Sequence, residues 1–190
     1  MRITTMILLK RIGAVKKTGL LIAMIFLAMV GSAIAQTTKS APRPCESDVR
    51  HRQFDFWAGE WRVTTQQGQF VGTNRIERVE GGCLLQENWT DGRGETGRGM
   101  NFFDAVLGKW RQVWMSPTGG ALELTGEFKD GAMRFLGERH DINGKSVPTR
   151  LTFFNLGEDK VRQFAEHSTD GGKTWTTSFD FLYTRKQAAK

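Results

Sequence analysis

Phe54-Asp55-Phe56-Trp57-Ala58-Gly59-Glu60-Trp61 sets four aromatic side chains in eight residues and closes on Gly-x-Trp, an aromatic knot at the point where the pattern turns to β. Upstream, Glu46 to Phe56 scatters Val49, Phe54 and Phe56 among charges, which predicts one or two helical turns. Downstream, apolar and polar residues alternate in segments separated by Gly, Asp and Asn, the period-two pattern of half-buried strands. We place strands at Glu60–Gln66, Phe70–Glu80, Cys83–Thr90, Gly97–Asp104, Trp110–Ser116, Ala121–Lys129, Ala132–Asp141, Thr149–Asn155, Lys160–Ser168 and Thr174–Thr184. Pro148 then sits just ahead of the eighth strand, where its missing N–H breaks no ladder bond.

The joints Glu80-Gly81-Gly82, Lys129-Asp130-Gly131, Ile142-Asn143-Gly144 and Asp170-Gly171-Gly172 carry tight-turn chemistry, so consecutive strands pair antiparallel. Ten hairpin-linked strands either close or leave long unpaired edges. The expected fold is all-β: an antiparallel up-and-down barrel of about ten strands with a short N-terminal helical plug, with a two-sheet sandwich as the alternative.

The N-terminus has a different chemistry. Arg2, Lys10, Arg11, Lys16 and Lys17 precede an apolar run from Leu20 to Val30, followed by Gly31-Ser32-Ala33-Ile34-Ala35-Gln36. A basic stretch, a short apolar run and Ala-x-Ala compose a secretory signal; the run falls short of the roughly 18 residues a membrane span needs. The alternative is an uncleaved membrane anchor. The expected organisation is a signal peptide over 1–35, a flexible tether over 36–45 and one barrel domain over 46–186, in a periplasmic or secreted protein with no stable membrane insertion after cleavage. Removing the leader takes five of the 27 Lys and Arg and none of the 20 acids, lowering the formal net charge from +7 to +2. That balance argues against a nucleic-acid partner.

Cys45 and Cys83 are the two cysteines. In an oxidising compartment they are expected to form a disulfide, the alternative being two buried thiols. With no companion ligand at metal spacing, no metal site is expected.

Strand alternation sorts side chains by face. Leu85, Glu87 and Trp89 share one; so do Trp110, Gln112 and Trp114, and so do Arg162, Phe164 and Glu166. Each row mixes large apolar groups with an amide or a charge, the mixture of a small-molecule site rather than a closed core. The expected ligand-binding set is therefore Trp89, Trp110, Trp114 and Phe164, with Glu87, Gln112, Arg162 and Glu166 orienting the ligand. Trp57 and Trp61 are expected to close the barrel base.

Several blocks now line up: the Phe54–Trp61 opening, Gly82-Cys83-Leu84-Leu85-Gln86-Glu87-Asn88-Trp89, Gly108-Lys109-Trp110-Arg111-Gln112-Val113-Trp114, Val161-Arg162-Gln163 and Asp170-Gly171-Gly172-Lys173-Thr174-Trp175. In order and spacing they resemble a group of secreted bacterial proteins classed as a domain of unknown function. That group is similar to the calycins, the superfamily of lipocalins, fatty-acid-binding proteins and nitrobindin. The resemblance implies a ligand-holding barrel and carries over no substrate. Nitrobindin holds haem through a histidine. Here His51 falls in the plug, His140 near a turn and His167 on the face opposite Arg162 and Glu166, so no haem or other cofactor is expected.

Other motifs have plainer readings. Gly92-Arg93-Gly94-Glu95-Thr96-Gly97 matches a dinucleotide fingerprint but is followed by a strand where that chemistry needs a helix. Ser168-Thr169-Asp170-Gly171-Gly172-Lys173-Thr174-Trp175 is a single Asp-box, which braces a hairpin; a propeller needs several. The sequon Asn88-Trp89-Thr90 lies within a strand. The sequence thus predicts an exported, non-enzymatic barrel binding a small, partly apolar molecule. A calycin-like lyase or isomerase using Glu87, Glu166 and Arg162 is the alternative, and a structural envelope-interaction domain a further one.

Overall fold

The computed structural model describes residues 43–140 and 143–186. The expected signal peptide and most of the expected tether lie outside them. The fold opens with a short helix α1, Pro44–Ser47, followed by 3₁₀ turns at Val49–Arg52 and Asp55–Trp57. Pro44 stands in the first helical turn, where its absent N–H costs nothing. The Asp48 carboxylate accepts from the Arg50 amide and caps the next turn.

Ten strands follow: β1 Gly59–Thr65, β2 Phe70–Val79, β3 Leu84–Asp91, β4 Thr96–Asp104, β5 Lys109–Met115, β6 Ala121–Lys129, β7 Ala132–His140, β8 Ser146–Asn155, β9 Lys160–His167 and β10 Thr176–Arg185. Each pairs antiparallel with its sequence neighbours, and β1 pairs with β10 from Trp61 opposite Arg185 to Thr65 opposite Phe181. The sheet is a closed up-and-down barrel, which rules out the sandwich. Asp130 and Gly131 both have positive φ, as the two-residue hairpin between β6 and β7 requires.

Strand boundaries match the expected ones to within a residue or two, except at β8. That strand begins at Ser146, so Pro148 lies inside it, opposite Glu138. The Pro148 carbonyl accepts from the Ser168 amide, which turns its nitrogen toward β9. Because β9 ends at His167, no ladder donor is missed there.

Strand reversal places the 80–83, 105–108, 130–131 and 156–159 turns at the end where the N-terminal segment packs, and the other five at the opposite end. The Cys45–Cys83 disulfide ties α1 to the β2–β3 turn, and Asp55 pairs with Arg78 of β2. On the chain-entropy account, closing this loop contributes roughly 3–4 kcal/mol. The segment is a plug. Phe54 stacks on Trp57 with ring centroids 5.0 Å apart, meets Phe153 at 5.0 Å and meets Trp110 edge-on at 5.7 Å. Phe54, Trp57 and Trp61 have no solvent exposure. Burying side chains of this size contributes on the order of 2–3 kcal/mol each. Trp57 and Trp61 thus sit in a filled aromatic base.

Candidate functional site

Above this base the barrel is not filled. A cavity of about 300 Å³ lies toward the open end, lined by Trp89, Trp114, Leu122, Phe179 and Phe181 around its walls and by Glu87, Gln112, Gln163 and Tyr183 at its polar side. Val71 and Leu151 complete it. Two bulges shape the wall. One sets Val63 and Thr64 opposite Gly72 and Phe70, leaving Val71 extra; the other lies between Thr177 and Phe179. A bulge re-aims the side chains beside it, and Val71 and Phe179 both face the cavity.

Glycines on β4 make the room. Gly97 faces Trp114, and a Cβ there would lie 2.2 Å from the indole; a Cβ at Gly99 would lie 2.4 Å from Glu87 Oε2. The first two inward positions of β4 are therefore bare, ahead of Asn101 and Phe103, and the large side chains of β3 and β5 lean over them. The stretch resembling a dinucleotide fingerprint is the β3–β4 hairpin, with the Asp91 carboxylate accepting from the Arg93 and Glu95 amides.

The polar side is a chain of hydrogen bonds. Asn74 Nδ2 donates to Glu87 Oε1 at 2.7 Å and to the Tyr183 hydroxyl at 3.3 Å, and that hydroxyl donates to Gln163 Oε1 at 2.6 Å. Glu87 is buried with no cation beside it, and burial raises its pKa from 4.5 to about 7 against the opposing effect of the Asn74 bond. Burial, and then the charge on Glu87, push the Tyr183 hydroxyl well above its usual range. Gln112 Oε1 is buried without a partner, as is Asn74 Oδ1. Unpaired polar atoms of this kind cost about 1–3 kcal/mol each unless something enters to meet them.

The residues expected at the site divide. Glu87, Trp89, Gln112 and Trp114 converge on the cavity. Trp110 points inward too, but lies lower, in the base, where its indole donates to Gln53 Oε1 at 3.1 Å. Arg162, Phe164 and Glu166 are corrected: they stand on the outer wall, and Val161, Gln163 and Ala165 face inward from β9. Arg162 is bound to Asp180 through two bonds of 2.8 Å and covers the Phe164 ring at 4.9 Å; Glu166 pairs with Arg150 at 2.6 Å. Outside salt bridges and a guanidinium cover satisfy this row without the interior. Glu87 is consequently separated from both partners that the lyase or isomerase alternative requires.

Sequence reasoning missed Asn74, Gln163, Tyr183, Leu122, Phe179 and Phe181. Gln163 and Tyr183 follow from the inward rows of β9 and β10 once their faces are known. Of the histidines, His51 packs against Phe103, His140 ends β7 and His167 Nδ1 bonds Ser178 Oγ; none lines the cavity. Among the described residues no cluster of three or more His, Cys, Asp or Glu could hold a metal ion.

A second, larger depression of about 710 Å³ lies on the outer wall, with Arg134, Arg150, Phe154, Phe164, Glu166 and Trp175 in its lining. It is open to solvent, and several of its charges are already paired, Arg150 with Glu166 and Lys109 with Glu127. Trp175 belongs to the Asp-box, where Asp170 accepts from the Thr174 amide and hydroxyl, Ser168 Oγ accepts from the Gly172 amide and the Trp175 indole donates to the Gly172 carbonyl. That brace is complete in itself. The inner cavity is the largely apolar space inside the barrel with a buried carboxyl on its wall, and is the candidate site. No family model and no curated protein matches the chain.

Proposed function

We propose that the chain is an exported, non-enzymatic barrel that binds a small, partly apolar molecule in this cavity and needs no cofactor to do so. The observation that carries the reading is the 300 Å³ space itself, apolar on most sides and edged by Glu87, Gln112 and Gln163. Pockets of this size and mixture hold small ligands. The Cys45–Cys83 disulfide supports the exported location, since such bonds persist in oxidising compartments.

Native mass spectrometry of protein purified from its own host tests the reading. A co-purifying small molecule, lost on Trp114→Ala, is the expected result. Repeated recovery of the bare chain, with Trp fluorescence unmoved by a library of small aromatics, would overturn it. N-terminal sequencing of the exported protein is expected to begin at Gln36.

A further inference from the structure

The cavity lining is one-sided in charge. Among the described residues that line it, Glu87 and Tyr183 are the only titratable groups, and no Lys, Arg or His is present. Glu87 Oε1 takes the Asn74 donor, while Oε2 lies over the bare backbone of Gly99 with no donor from the described residues. Gln112 Oε1 is unmet too, but it is sealed within the wall and presents no surface to a guest. Tyr183 is spoken for on both sides, accepting from Asn74 and donating to Gln163. The other polar groups available are amide N–H donors of Gln112 and Gln163, which suit a carbonyl or hydroxyl and neutralise no anion. Around them stand the faces of Trp89, Trp114, Phe179 and Phe181.

Resting on the binding reading above, we propose that the cavity takes a small aromatic molecule whose polar end is a nitrogen-borne hydrogen-bond donor, neutral or cationic, seated on Glu87, and that it turns carboxylates away. An anion here would lie beside Glu87 with no counter-charge, in a site where water does not screen it. A cation gains both the carboxylate and the aromatic faces. Because burial holds Glu87 near neutrality in its titration, a bound ammonium or amidinium draws the proton off it and creates its own ion pair. The volume, on the order of ten water molecules, admits one or two rings and not a long acyl chain.

Three probes with one ring and different heads test this: benzamidine, benzyl alcohol and benzoate, titrated calorimetrically at pH 7.5 into the disulfide-intact chain. Indole N–H shifts of Trp89 and Trp114 report where they bind. Benzamidine is expected to bind at least about tenfold more tightly than benzoate. Glu87→Gln is expected to close that gap by weakening benzamidine and sparing benzoate. Glu87→Asp, which withdraws the carboxylate by one methylene, is expected to weaken benzamidine several-fold and serves if Glu87→Gln does not fold. A smaller gap, benzoate binding as well or better, or a gap that survives both substitutions overturns the donor preference and leaves the binding reading standing. Failure of all three probes to bind, with both indole signals unmoved, overturns the two together.

Discussion

A carboxyl group without a cationic partner makes the fold itself sensitive to pH. Glu87 holds its proton in the folded chain up to about pH 7, while in the unfolded chain it lets go near 4.5. Across that window the folded state binds more protons than the unfolded one, so stability falls as pH rises and levels off above 7. The shift corresponds to roughly 3 kcal/mol. Asp170 acts the other way: its hydrogen bonds to Thr174 and Ser168 lower it to about 2, so its contribution is present above the unfolded value near 3.8 and fades as pH falls toward 2. The chain is therefore expected to be most stable near pH 4–5. Urea midpoints from pH 4.5 to 8 should decline for the natural chain and stay nearly level for Glu87→Gln, which keeps the shape and removes the charge. Parallel curves for the two would show that Glu87 ionises freely and is not sealed from water.

At the scale of the element, the plug is held by one covalent tie and a layer of rings, and the two can be separated. Replacing both Cys45 and Cys83 by Ala is expected to lower stability by about 3–4 kcal/mol through the entropy of the 38-residue loop, with the Phe54–Trp57–Phe153 layer retained in the folded state. Urea unfolding with and without reductant measures it; a loss below about 1 kcal/mol would mean the rings alone fix the plug. Both the cysteine pair and the aromatic knot were legible in the sequence, as were the ten strands, because turn residues and period-two alternation are local signals. Alternation gives two rows per strand without saying which is inside. On β3 and β5 the row bearing Trp faces inward, so Glu87, Trp89, Gln112 and Trp114 were found. On β9 the same logic chose Arg162, Phe164 and Glu166, and failed because guanidinium groups shelter an outer ring: Arg162 lies over both Phe154 and Phe164. The inward row of β9, with Val161 and Ala165 beside Gln163, is the blander one. Asn74 and Tyr183 were hidden for another reason, since their bond joins residues 109 apart and no local pattern announces it.

For the whole molecule, the decisive contact is the one that makes a sheet into a barrel. Arg185, the last residue of β10, bonds the Glu158 carbonyl through Nε and one terminal nitrogen at 3.0 and 2.8 Å, and the Ala58 carbonyl through the other at 3.1 Å. Its guanidinium also lies 4.3 Å from the Trp61 ring. One side chain thus joins the plug exit, the β8–β9 turn and the closing strand, across a sequence separation of 127 residues. This explains the glycine in the opening motif: a Cβ at Gly59 would lie 2.1 Å from the Arg185 guanidinium, and its φ of 132° is one that other residues rarely adopt. Arg185→Ala is expected to cost about 1–2 kcal/mol, from the part-buried bond to the Ala58 carbonyl and the cover over Trp61, since water can meet the exposed Glu158 carbonyl. Arg185→Lys should recover little of it, because an ammonium can replace neither the fork between two carbonyls nor the stacking on Trp61. Seam contacts of such separation are costly to close and form late in folding. The loss should therefore show chiefly as faster unfolding, with refolding nearly unchanged. Stopped-flow chevrons of the natural chain and both variants measure this. Slower refolding with an unaltered unfolding limb would place closure of the barrel ahead of the rate-limiting step.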